Sequence, residues 1–151
     1  MIELKTIQFA DIKDVWDSKL WPNRRTPIKP MSSMQYLEGF DMEIYNKYKP
    51  TFLGAYNGDL LVGVNSGHRT KENLYRSRGI WIDPSYRGQG ISKMLFGAVD
   101  SQARDEGCTA IWSLPRKNAL KAYESFGYVK QGEFFDEGME FGPNCYVLKT
   151  L

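Results

Sequence analysis

Histidine occurs once in the 151 residues and cysteine only twice. Cys108 and Cys145 stand alone in apolar contexts without CxxC spacing, which argues against a metal knuckle or a disulfide framework and leaves two buried free thiols as the expectation. No run reaches the roughly 18 apolar residues of a membrane span, and the opening MIELKTIQFADIKD carries acids early and lacks the apolar core of a signal peptide. A soluble, cytoplasmic chain with no membrane partner is therefore expected. Charge of one sign is also lacking: 20 bases against 18 acids leave a net +2, so there is no bulk field of the kind that collects nucleic-acid phosphates. Internal repeats, low-complexity tracts and interdomain linkers are missing too. With 42% apolar and 14% aromatic residues, the chain can bury one good core but not two, so residues 1–151 are read as a single domain.

What is present alternates between strand and helix signals. Ile2, Leu4 and Ile7 suggest an opening strand, and Phe9, Ile12, Val15 and Trp16 follow at helical spacing, with Asp11 and Asp14 where carboxylates suit the helix dipole. WPNRRTPIKP reads as a loop, after which Ser32 or Ser33 caps a second helix carrying Met34, Leu37, Met42 and Tyr45, ended by Lys49-Pro50. Asn57-Gly58-Asp59 between Thr51–Tyr56 and Leu60–Val64 is a hairpin signal, and Gly79-Ile80-Trp81-Ile82 forms a further strand stopped by Asp83-Pro84. Ile91, Met94, Leu95, Ala98, Val99 and Ala103 give a long amphipathic helix up to Gly107. Thr109 to Trp112 reads as a strand, Asn118 to Phe126 as a short helix, and Tyr128 to Phe135 and Cys145 to Leu148 as two closing strands. The order is βααβββαβαββ.

Between the GIWIDP strand and the long helix lies YRGQGISKML. A helix N-terminus leaves unpaired N–H groups along its axis, and glycines before it let the backbone approach an anion without a Cβ in the way. Such turns also serve packing alone, so the neighbours decide. A nucleotide P-loop needs GxxxxGK[ST]; here Lys93 follows Ser92 in reverse order and the glycine spacing is wrong. A dinucleotide fingerprint needs GxGxxG, and Lys93 stands where its third glycine belongs. Arg87, Gly90 and Ser92 instead resemble the acetyl-CoA motif of the GNAT superfamily of N-acetyltransferases: Gln or Arg, two residues, Gly, one residue, then Gly or Ala. Ser92 departs mildly from that last position. Downstream, NALKAYESFGY resembles the same superfamily's N-x-x-A-x-x-x-Y-x-x-x-G-F/Y segment through Asn118, Tyr123, Gly127 and Tyr128, with Ala122 shifted by one helical step. The resemblance is good from about Thr51 to the C-terminus and thin before it.

The resemblance implies an α/β (α+β) acyl-CoA N-acyltransferase fold: a mixed, mostly antiparallel central sheet, flanked by helices, whose fourth and fifth strands splay apart. It implies that coenzyme A rests its pyrophosphate on the amides of Arg87, Gly88, Gln89, Gly90, Ile91 and Ser92, near Lys93 and without metal. The pantetheine arm then pairs with the main chain of Ile80, Trp81 and Ile82, whose side chains are free to be core. Tyr123 is the implied hydrogen-bond donor to the departing thiolate; a tyrosine packed against Ala119 and Phe126 is the alternative. Asn118 is either the cap of its helix or a coenzyme ligand.

An attacking amine must lose a proton, and the sequence names no base. RSRGIWI has no carboxylate before Asp83, itself a plausible turn residue; Glu38, Asp41, Glu72 and Glu133 read as surface charges, His68 as a solvent-exposed residue near a hairpin turn, and water-mediated deprotonation stays open. The acceptor is expected to be a small-molecule or peptide amine: Arg24, Arg25 and Lys29 form a basic rim that suits an acidic acceptor, Glu38, Asp41 and Glu43 balance it in favour of an amine cation, and Trp21, Tyr36, Phe40, Tyr45 and Tyr48 either line a groove or simply pack. A homodimer is compatible with this reading. Two rivals are a non-catalytic acyl-CoA-binding module and a nucleic-acid binder using Arg69, Lys71, Arg76, Arg78 and Arg87 at strand ends, which the near-zero net charge disfavours.

Overall fold

The computed structural model describes residues 1–25, 28, 30, 42–137 and 139–151. Seven strands and four α-helices follow in the order β1 (Ile2–Thr6), α1 (Phe9–Val15), α2 (Met42–Lys47), β2 (Thr51–Asn57), β3 (Leu60–Lys71), β4 (Leu74–Ile82), α3 (Ile91–Asp105), β5 (Ala110–Ser113), α4 (Lys117–Ser125), β6 (Val129–Phe135) and β7 (Asn144–Thr150). This is the order that the hydrophobic periods predict. The predicted N-terminal part of the second helix, including Ser32, Ser33, Met34 and Leu37, lies outside the described residues. The strands form one sheet in the order β1-β2-β3-β4-β5-β7-β6. Every neighbouring pair is antiparallel except β4 and β5, which run parallel.

At the start of α1 the Gln8 N–H donates to Asp11 Oδ2 at 3.2 Å as part of a capping box, so Asp11 does more than complement the dipole. After Val15 the helix loosens into a π turn over Trp16–Leu20, which carries Trp16 beneath the sheet. Gly58-Asp59, between the paired Asn57 and Leu60, makes the predicted hairpin, with Gly58 at φ +62°.

The core has two parts. Ile91, Leu95, Phe96, Val99 and Ala103 on one face of α3 pack with Val62, Tyr75, Ile111, Tyr123, Tyr128 and Val147. Burying each such side chain contributes roughly 1.5–3 kcal/mol. A smaller cluster holds Ile12 and Trp16 with Ile28 and Val64. Strand β4 serves both: by the two-residue alternation of a strand, Tyr75 and Ser77 reach the α4 side while Arg78 lies beneath Trp16. Cys108 and Cys145 are buried free thiols, as expected.

Several polar residues are placed differently from the expectation. Strand β3 does not stop near Val64 but runs to Lys71, which carries His68 into the sheet opposite Arg76. His68 is 1% exposed, not solvent-exposed at a turn. Arg69, Arg76 and Arg78 are buried as well, which removes them from a surface that could bind nucleic acid.

Candidate active site

The sheet opens where β4 and β5 separate. Their ladder contains only Leu74↔Ala110, Tyr75↔Ile111 and Arg76↔Trp112, although β4 continues to Ile82. The last link is a side chain: Ser113 Oγ donates to the Ser77 carbonyl at 2.6 Å. Beyond it the chain turns at Pro115 and allies with the start of β7. The Cys145 N–H donates to the Pro115 carbonyl at 3.1 Å, Arg116 bridges Asn144, and Asn144 Nδ2 donates to the Leu114 carbonyl at 2.9 Å. Committed to β7, this segment cannot extend the β4 ladder.

The opening is a cleft of about 590 Å³. One wall is β4 from Arg76 to Ile82, the other Ser113 to Arg116 with α4, and its mouth is the turn before α3. Ile80, Trp81, Ile82, Arg87, Gly88, Gly90, Ile91, Ser92, Lys93, Asn118 and Tyr123 all line it. Of the residues predicted to form the site, only Gln89 is not in the lining; it is exposed on the outside of the turn.

The turn is built for close approach. Gly88 and Gly90 have φ of +79° and +80°, and a Cβ at either position would meet nothing within 4 Å. Their conformation calls for glycine, and the space above them is open. Gly90 is the N-cap of the fifteen-residue α3, and Ile91, Ser92 and Lys93 of its first turn line the cleft. Arg87 Nε donates to the Ile82 carbonyl at 3.3 Å, tying the turn to the end of β4. Backbone amides, a helix N-terminus, Arg87 and Lys93 together suit a pyrophosphate.

On β4 the ladder to β3 slips: Val64 faces Trp81 while Ser66 faces Arg78, so Gly79 and Ile80 stand opposite Asn65 alone. This is a bulge, with Gly79 at φ +75°. Two residues against one leave main-chain groups of β4 outside the regular ladder, on the strand that lines the cleft.

Tyr123 is buried in the wall between the two strands. Its ring packs at 4.6 Å from Phe96 and edge-on at 5.0 Å from Tyr128, and its hydroxyl lies 3.4 Å from Ser77 Oγ, which Asn65 Nδ2 also reaches at 3.1 Å. Burial raises the phenol's pKa, while the Ser113 and Ser77 hydroxyls and the Arg76 charge pull it back. Tyr123 is thus a packed core residue whose phenol stays neutral in the wall of the cleft. Asn118 is not the helix cap. Arg116 holds that position in an extended conformation, and Asn118 sits exposed in the first turn at the rim.

Among the described residues, no aspartate, glutamate or histidine lines the cleft. Asp83 is the turn residue anticipated, accepting from the Ser85 N–H at 2.8 Å. Glu72 is exposed, and Glu133 is exposed beside Lys130 at 3.7 Å. Glu38 and Asp41 lie outside the described residues, as do Lys29, Tyr36 and Phe40. Trp21 does line the cleft, with Arg24 stacked on it at 5.5 Å. The Arg25 N–H donates to Glu140 at 2.7 Å, and Tyr48 covers Arg69 at 3.7 Å. The sequence reading missed Arg76, Arg78 and Arg116 as cleft residues. The only local signal was the charged alternation of Arg76-Ser77-Arg78, which equally describes a strand facing water.

A mostly antiparallel sheet opened between one parallel pair, with a glycine turn and helix N-terminus at the mouth, is the fold of the acyl-CoA N-acyltransferases. Residues 15–128 match the sequence profile of the Acetyltransferase (GNAT) family, and the chain belongs to that family. Solved structures agree in fold. An acetyltransferase of the GNAT family from Staphylococcus aureus Mu50 superposes with a TM-score of 0.69 at 14% identity, covering 99% of both chains. An acetyltransferase from Streptococcus agalactiae 2603 gives 0.66 at 18% identity over 99% of this chain and 98% of the other. Ard1 from Thermoplasma volcanium gives 0.69 at 13% identity over 99% and 97%. In sequence, an uncharacterized protein of Mycobacterium leprae (strain TN) is 34% identical over 100 residues, which are 62% of this chain and 26% of that protein. The chain thus spans about a quarter of that relative's length.

Proposed function

We propose that residues 1–151 form one catalytic domain that transfers an acetyl group from acetyl-CoA to an amine by direct attack in a ternary complex. The observation that carries this reading is the cleft where β4 and β5 part, with the turn at Gly88 and Gly90 at its mouth and Tyr123 in its wall. The pyrophosphate is held by the turn amides of Arg87 to Ser92 with Lys93, and Asn118 contacts the coenzyme from the rim. The pantetheine arm runs along the main chain of Ile80, Trp81 and Ile82, taking up the pairing that β5 gives up.

The amine nitrogen attacks the thioester carbon, a main-chain N–H of β4 stabilises the oxyanion, and the C–S bond breaks as the N–C bond is completed. Tyr123 donates a hydrogen bond to the leaving thiolate. A phenol near ~10 facing a thiol near ~8.5 would give up its proton uphill by roughly 2 kcal/mol, and burial widens that gap. Tyr123 therefore stabilises the thiolate without full transfer. No base lines the cleft among the described residues. The surrounding arginines instead favour the neutral form of an acceptor amine, whose proton leaves through water.

Thermal shift with acetyl-CoA, ATP and NAD, followed by acceptor-dependent thiol release across an amine panel, tests this. Acetyl-CoA alone among the three should stabilise the protein, and Tyr123→Phe, which removes one hydrogen bond to the developing thiolate, should lower kcat by about 100-fold while the protein stays folded. No stabilisation by acetyl-CoA would refute the reading. Stabilisation without acceptor-dependent release would leave an acyl-CoA-binding module.

A further inference from the structure

The indole of Trp16 has a single polar atom, and that atom is engaged at the bulge of β4. Trp16 is 2% exposed, and its Nε1–H donates to the Gly79 carbonyl at 3.0 Å across 63 residues of sequence. Phenylalanine would fill much of the same space but offers no N–H. Trp16 also opens the π turn that follows α1, whose closing bond runs from the Trp21 N–H to the Trp16 carbonyl at 2.7 Å. Turns of this kind recur at functional sites, and here Leu20 and Trp21 at its far end line the cleft.

A glycine in a bulge is where a strand's peptide plane turns over most easily, because glycine populates positive and negative φ about equally. Gly79 stands there at φ +75°. The one ring restrains it twice: its N–H holds the carbonyl, and a Cβ on Gly79 would come within 2.3 Å of Nε1. The Gly79–Ile80 peptide is trans and planar, so its C=O and N–H point in opposite directions. With the carbonyl turned to Trp16, the Ile80 N–H is held pointing away from the indole. Ile80 is a lining residue of the cleft.

We infer that Trp16 is a positioning residue for acetyl transfer: by fixing the Gly79 carbonyl it aims the Ile80 N–H at the thioester oxygen. This rests on the acetyltransferase reading above and names the residue that sets its oxyanion donor. The thioester oxygen gains charge as the amine adds, and a donor already aligned there lowers the barrier without reorganising. Coenzyme affinity comes chiefly from the turn at Gly88 and Gly90, so it does not depend on the Trp16 bond.

Infrared difference spectra of bound acetyl-CoA, isotope-labelled at its thioester carbonyl, read the Ile80 contact without an acceptor. The carbonyl band should lie at higher frequency in Trp16→Phe than in wild type, with the affinity for acetyl-CoA retained. For any amine that supports thiol release, kcat should fall by about 10- to 100-fold in Trp16→Phe, part of the roughly 100- to 1000-fold that one oxyanion donor contributes, while KM for acetyl-CoA stays near wild type. Ile12→Val thins the same packing cluster but leaves the N–H···O bond, so it should move neither the band nor kcat. If Trp16→Phe does not fold, site-specific replacement of Trp16 by benzothienylalanine, which puts sulfur in place of the N–H on the same ring frame, gives the same comparison. An unchanged band, an unchanged kcat, or an equal shift in Ile12→Val overturns the inference. Wild-type protein that binds no acetyl-CoA sinks the acetyltransferase reading itself.

Discussion

Replacing Gly79 with alanine tests the structure at the bulge of β4, on the strand that lines the cleft. Gly79 has φ +75°, and a Cβ there would lie 2.3 Å from Nε1, 2.4 Å from Cε2 and 2.6 Å from Cζ2 of Trp16. Left-handed backbone costs an L residue about 1–2 kcal/mol. The clash adds to this because Trp16 cannot easily retreat: it is 2% exposed, donates from Nε1 to the Gly79 carbonyl at 3.0 Å, and packs against Trp21 at 5.3 Å and Phe52 at 6.4 Å. Overpacking of this kind costs about 1–3 kcal/mol, for a total of about 2–5 kcal/mol. Gly88 supplies the control. Its φ is +79°, but a Cβ would meet nothing within 4 Å, so Gly88→Ala should lose only the backbone part, about 1–2 kcal/mol. Urea unfolding followed by tryptophan fluorescence measures both, with slopes expected to match wild type. Gly79→Ala unfolding within about 0.5 kcal/mol of Gly88→Ala would refute the close approach of Trp16 to the bulge.

Three further outcomes follow from buried titratable groups. Asp100 on α3 and Lys149 on β7 form an ion pair whose side chains are 3% and 18% exposed; Lys149→Met should cost about 3–5 kcal/mol and the double variant Asp100→Leu/Lys149→Met less. Equal or greater loss in the double variant in urea unfolding would count against a compensated buried charge. His68 has its pKa lowered by burial and then by the Arg76 and Arg78 charges, so it stays neutral in the fold while the unfolded chain protonates below about pH 6.5. Its contribution is thus present above that pH and lost as pH falls, with a slope of up to about 1.4 kcal/mol per unit. Urea midpoints at pH 7, 6 and 5 should fall more steeply in wild type than in His68→Gln, and parallel profiles would contradict this. Tyr75, Tyr123 and Tyr128 have pKa values raised chiefly by burial. Stability they supply is complete below the unfolded value of about 10 and is lost as pH rises beyond it. Their phenolate absorbance should grow only together with loss of the far-ultraviolet dichroism, and ionisation within the intact fold would disprove their burial.

The parts of this protein that were legible in its sequence are those in which one segment settles its own structure. Gly88 and Gly90 before Ile91, Leu95 and Val99 spell turn and helix without help from elsewhere. Asn118 to Tyr128 likewise places Tyr123 on a helix face, although Pro115 shifts the cap back to Arg116. What stayed hidden depends on partners far along the chain. SGHRTKENLYRSR reads locally as a charged hairpin meeting water, yet His68, Arg76 and Arg78 are covered, two of them by the rings of Trp16, Trp21 and Trp112. No short-range pattern announces a cation stacked on an aromatic contributed from more than thirty residues away. The same distance hides the inner end of the cleft, whose arginines come from β4 and from the turn after β5. The turn at Gly88 and Gly90 is a local motif, legible within one short stretch of sequence. The inner end of the cleft is an arrangement of long-range packing, whereas the turn before α3 is settled by its own glycines.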